Sequence, residues 1–125
     1  MNVVDSSGWL EYLADAPGAD FFAPAIENTE ELLVPTICLL EVARNIFRQR
    51  GEDMALQALA LMQQARVVHL VPEVIRLAAR FGMEHRLPLA DSVVFATGRL
   101  HGALVWTQDS DFKGLEGVRY TPKVT

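Results

Sequence analysis

Apolar residues in this chain fall into two alternating patterns: short continuous runs, and longer stretches where they recur every three or four positions. The runs at 2–5, 32–35, 67–71 and 103–107 are rich in Val, Leu and other strand-forming residues and read as β-strands. Helical spacing of Trp9, Leu10 and Leu13 predicts a helix from a Ser6 or Ser7 cap to about Asp15, where Pro17-Gly18 stops it. A second helix is expected over roughly 19–28, with Phe22, Ala23 and Ile26 on one face. Thr36 is suited to cap a helix from 37 to about 50, with Gly51 ending it after Arg48 and Arg50. Residues 52–65 are strong helix formers. Pro72 is expected to close the strand at 67–71. A helix over 73–85 then turns Val74, Leu77, Ala78 and Phe81 inward. Pro88 opens a further helix that ends near Gly102, and a short last strand lies around 118–120. Strands alternating with helices predict an α/β fold: a three-layer α/β/α sandwich with a mostly parallel sheet and right-handed crossovers.

A chain of 125 residues, half of them apolar, suits a single domain over 1–125 with a real core. It shows no internal repeat, low-complexity tract or linker. No apolar run approaches the roughly 18 residues of a membrane span, and the start lacks the basic segment of a signal peptide. The lone Cys38 cannot form an internal disulfide, which points to a reducing, cytoplasmic setting. Flanked by Ile37, Leu39 and Leu40, it reads as a small core side chain.

The acidic residues change the picture most. Asp5 ends the first strand, and Asp109 follows the strand at 103–107. If those strands are parallel neighbours, both carboxylates emerge at the carboxyl edge of the sheet, where open α/β folds place their ligands. Asp91 interrupts the apolar neighbourhood of Leu87, Leu89, Ala90, Val93 and Val94. Glu41 lies more than a turn inside its helix, on a stripe with Asn45 and Arg48. Each acid also has an ordinary structural use: Asp5 and Asp91 in first helical turns, Glu41 paired with Arg44 or Asn45, Asp109 and Asp111 in a polar turn. Carboxylates that converge repel one another unless they share a cation, so together they point to a divalent-metal site and phosphate chemistry. The formal net charge of −5 argues at first against a nucleic-acid partner. Two divalent cations would bring +4 and leave the chain near neutral, so charge is permissive. His69, His85 and His101 lack zinc-ligand spacing.

Four stretches in order resemble the PIN domain, the nuclease fold of VapC-type toxins in toxin–antitoxin pairs. They are Val3-Val4-Asp5-Ser6-Ser7, then 35–43 from Pro35 to Ala43 with Glu41, then 87–96 around Asp91, and finally Thr107-Gln108-Asp109-Ser110-Asp111-Phe112. The resemblance spans almost the whole chain. It implies a metal-dependent endoribonuclease that hydrolyses RNA phosphodiester bonds, with Asp5, Glu41, Asp91 and Asp109 as the metal-binding, catalytic acids and Asp111 as a helper. It leaves Glu41 either a ligand or the base that orients water. Ser6 and Thr107 are candidate hydrogen-bonding supports. Mg²⁺ or Mn²⁺ suits an all-oxygen ligand set.

The resemblance further implies a homodimer and a protein antitoxin. The apolar residues Phe21, Phe22, Ile26, Leu40 and Phe47 offer enough surface for a groove that takes an amphipathic helix, unless they pack in the core. Trp9, Trp106 and Phe112 could stack bases or be core. Three rivals remain at this point. A receiver-like phosphorylated signalling domain would want a lysine better placed than Lys113 or Lys123. A haloacid-dehalogenase-type phosphatase would want an Asp two residues after Asp5, where Ser7 stands. A non-catalytic PIN-like binding module would have no need of all four acids.

Overall fold

Successive residues of a strand face opposite ways, so Val3 with Val4, and Leu33 with Val34, test both faces of a sheet at once. All four are fully buried in the computed structural model of the chain, which describes residues 1–124. Burial on both faces is the mark of a parallel sheet enclosed between helical layers. The strands are β1 (Asn2–Val4), β2 (Leu32–Pro35), β3 (Arg66–Val68), β4 (Leu104–Thr107) and β5 (Val118–Tyr120). They form one sheet of order β3-β2-β1-β4-β5, in which every pairing is parallel. The helices are α1 (Ser6–Leu13), α2 (Ala19–Ile26), α3 (Thr36–Arg50), α4 (Glu52–Met62), α5 (Pro72–His85) and α6 (Leu89–His101). The result is the expected three-layer α/β/α sandwich. Because the chain proceeds from β1 to β2 on one side and returns to β4 on the other, the strand order reverses between β1 and β4.

Several boundaries differ from the sequence expectation. The strand predicted at 67–71 is β3, ending at Val68, and Pro72 does not close it but opens α5. Leu70 and Val71 are 48% and 41% exposed, so their apolar character reflects no sheet face. Proline's fixed φ and missing N–H suit a first helical turn. Thr36 does not cap α3; Pro35 takes that position, and no side-chain hydrogen bond caps the helix. Neither Ser6 nor Ser7 caps α1, because Asp5 accepts the Gly8 N–H. α1, α2 and α4 stop two to three residues earlier than expected, at Leu13, Ile26 and Met62. Gly51 behaves as expected, with a φ of 90° that lets the chain turn from α3 into α4.

Trp9, Phe22, Met62 and Phe112 anchor the core, each almost wholly buried, and Trp106 is buried beside them. These aromatics are packing residues rather than base-stacking platforms. Cys38 is also fully buried, and burial pushes its thiol up, so it stays a neutral apolar side chain. α1 packs closely on β1 and α2 at Gly8. A Cβ at Gly8 would lie 2.6 Å from Phe22 Cε1 and 2.7 Å from Val4 Cγ1. Gly8→Ala is therefore expected to lower stability by about 1–3 kcal/mol, the usual cost of overpacking. Urea unfolding would measure it, and an unchanged midpoint would show that α1 can shift freely.

Candidate metal centre

Asp5 follows β1 directly, where parallel pairing to β4 continues through the Asp5 N–H to Trp106 carbonyl bond of 3.1 Å. Its side chain is held from three sides. Oδ1 accepts the Ser7 hydroxyl at 2.7 Å and the Gly8 N–H at 3.0 Å, while Oδ2 accepts the Thr107 hydroxyl at 2.7 Å. The Thr107 oxygen also accepts the Asp109 N–H at 2.9 Å, so one hydroxyl ties the two carboxylate-bearing segments together. Asp109 in turn opens the turn of 3₁₀ helix at Ser110–Phe112, its Oδ1 accepting the Asp111 N–H at 2.9 Å. Asp91 comes from the first turn of α6, whose start lies at the same edge.

These elements bring oxygens of Asp5, Asp91 and Asp109 within 4.8 Å of one another. Asp5 is buried and the other two are half-buried. Burial raises the Asp5 carboxyl to about 6. The hydrogen bonds from Thr107, Ser7 and Gly8 pull against that rise, and the charge of Asp109 adds to it. Asp91 is raised too, first by burial, then by the charge of Asp109 and a hydrogen bond with it, with Asp5 and Asp111 adding further repulsion. Burial first and mutual repulsion second thus favour the protonated form of Asp5 and Asp91 when no cation is present. Three hard carboxylate oxygens at such spacing fit Mg²⁺ or Mn²⁺ and do not fit a soft ion.

Glu41 and Asp111 are not in this trio. The half-buried Glu41 accepts the Ser6 hydroxyl at 2.6 Å, and neither Arg44 nor Asn45 pairs with it. Ser6 and Ser7 thus divide the work, one holding Glu41 and the other Asp5. Asp111 is exposed and contributes negative potential beside Asp91.

The sequence profile of the PIN domain matches residues 3–118, which is nearly the whole chain and includes every one of these acids. The chain belongs to the PIN domain family. Among curated protein sequences, none matches it. Solved structures of the same fold include a toxin–antitoxin complex from Klebsiella pneumoniae. It is 18% identical with a TM-score of 0.80, covering 95% of this chain and 96% of that one. VapC20 of Mycobacterium tuberculosis, described as a sarcin–ricin loop cleaving toxin, is 21% identical with a TM-score of 0.76, covering 95% and 99%. A DNA-bound VapBC complex from Salmonella typhimurium is 13% identical with a TM-score of 0.75, covering 98% of each chain.

Within this PIN fold the sequence reading missed two buried polar residues beside the acids. Glu11 and Gln108 are 6% and 9% exposed. Glu11 Oε1 accepts the Gln108 side-chain amide at 3.1 Å, and Oε2 accepts the Gly18 N–H at 2.8 Å. The only signal in the sequence is spacing, since Glu11 stands one helical turn after Ser7.

Proposed function

We propose that this PIN domain, taken as one unit over 1–125, is a metal-dependent endoribonuclease and the toxin of a toxin–antitoxin pair. The observation that carries the reading is the convergence of Asp5, Asp91 and Asp109 within 4.8 Å at the strand-order reversal. Asp5, Asp91 and Asp109 would hold Mg²⁺ or Mn²⁺, with Glu41 as a further ligand or as the base and Asp111 as a helper at the rim. The ion supplies positioning of the scissile phosphate, neutralisation of its charge, and a more acidic attacking water. The protein's own groups do the rest. Ser7, Gly8 and Thr107 fix both Asp5 oxygens, so the carboxylate cannot rotate away as charge develops. Ser6 fixes the Glu41 carboxylate, which can orient water or take its proton.

Partners follow from the same reading. Leu40, Phe47 and Leu56 are 61%, 53% and 56% exposed and flank a groove of about 400 Å³ between α3 and α4. An amphipathic antitoxin helix would bury that face. Phe22 and Ile26, by contrast, are already in the core, so α2 contributes less than the sequence reading expected. A homodimer and a cytoplasmic setting complete the proposal. Among the described residues no helix is long and apolar enough to cross a membrane.

The test is cleavage of mixed cellular RNA by the purified protein with Mn²⁺, with EDTA, and with Asp109→Asn. Cleavage with Mn²⁺ alone, lost in the other two arms, is expected. RNA that binds and stays intact with Mn²⁺ would instead identify a binding module.

A further inference from the structure

Two buried polar side chains, Glu11 and Gln108, lie beside the acids and are bonded to each other. The Glu11 carboxylate is enclosed, yet no cation pairs with it among the described residues. The Gln108 Oε1 is buried with no hydrogen-bond partner, an arrangement that costs about 1–3 kcal/mol.

What the pair does is fasten the loop after β4 to α1. The Gln108 amide donates to Glu11 Oε1 at 3.1 Å and to the Ser7 carbonyl at 3.5 Å. The Gln108 backbone N–H points at Ser7 Oγ at 3.4 Å, and that hydroxyl donates to Asp5 at 2.7 Å. Gln108 is also the residue between Thr107, which bonds Asp5, and Asp109. Glu11 is itself anchored by the Gly18 N–H, and a Cβ at Gly18 would sit 3.0 Å from Glu11 Oε2. The chain of contacts runs from the α1–α2 turn through Glu11 and Gln108 to both aspartates.

We infer that Glu11 and Gln108 are positioning residues that set the separation of the Asp5 and Asp109 carboxylates, and with it the affinity for the divalent ion. The inference rests on the metal-dependent reading above. Neither residue belongs to the trio that would hold the ion; both would act through the placement of Asp5 and Asp109. Supports of this kind change metal affinity by about 10- to 100-fold in known metal sites.

The experiment is Mn²⁺ titration by calorimetry on the intact chain, with thermal unfolding of the same samples in EDTA. Gln108→Met, nearly equal in length, and Glu11→Leu are each expected to raise the Mn²⁺ Kd about tenfold. The double variant should be no weaker than either single one, since both break one linkage. Glu11→Gln should raise the Kd less than Glu11→Leu, because its amide oxygen keeps the Gly18 bond while its NH₂ replaces the oxygen that accepts from Gln108. If Glu11→Leu does not fold, Gln108→Met with Glu11→Gln carries the test. An unchanged Kd in Gln108→Met, with wild type binding Mn²⁺, would overturn the positioning role and leave the nuclease reading intact. Absence of Mn²⁺ binding by wild type would overturn both.

Discussion

Asp5→Asn is expected to abolish RNA cleavage, on the order of 10³-fold or more, while leaving the metal-free protein at least as stable as wild type at neutral pH. The two effects have one cause. Asp5 is 3% exposed and its carboxyl is raised to about 6 by burial, so keeping it ionised in the folded chain opposes folding. A shift from 3.8 to about 6 corresponds to about 3 kcal/mol. Asparagine has nearly the same shape and still offers one oxygen to the donors around it, but carries no charge. It forfeits part of the Ser7, Gly8 and Thr107 bonding, which offsets some of that gain. Cleavage assays with Mn²⁺, together with urea unfolding in EDTA, measure both quantities. A clearly less stable metal-free variant would mean that Asp5 serves chiefly as the cap of α1.

The pH dependence of metal-free stability should carry the same signature. The Asp5 carboxyl is raised on folding, so its contribution is fully present below 3.8 and is lost as pH rises through about 6. Asp91 is raised in the same direction, extending the loss to higher pH. In EDTA the wild type should therefore lose stability relative to Asp5→Asn between about pH 4 and pH 7, by up to about 3 kcal/mol. Millimolar Mn²⁺ should reverse the trend, because the ion binds the deprotonated native site and stabilises it by mass action. Unfolding curves of both proteins at several pH values, with and without Mn²⁺, make the comparison. Parallel pH curves in EDTA would contradict the burial of an ionisable Asp5, and a melting temperature indifferent to Mn²⁺ would contradict a metal site.

Much of this geometry was legible because it follows from strand direction. Once 2–5 and 103–107 are parallel neighbours, Asp5 and Asp109 must leave the sheet at one edge, and they do. Asp91 was legible as an acid set among apolar residues, of which Leu87, Val93 and Val94 are buried while Leu89 is 86% exposed. Glu41 could be flagged but not placed, since its bond to Ser6 depends on how α3 docks against α1. That docking is a tertiary fact with no local signature. Glu11 was overlooked for a related reason: one acid on a short amphipathic helix looks like a solvated position until Gly18 and Gln108 fold over it. The strand end at β3 was overextended because Leu70 and Val71 are apolar yet outside the sheet.

The sheet order also governs when during synthesis the pocket can come into being. β1 is made first, but one of its two partners is β4, and the third carboxylate follows β4 at position 109. A nascent chain on the ribosome can pair β1 with β2 early and still have an open slot beside it. Only when that slot is filled do Thr107 and Asp109 reach Asp5. A chain cut short before this point would lack the full trio and, on the proposed reading, could not cleave RNA.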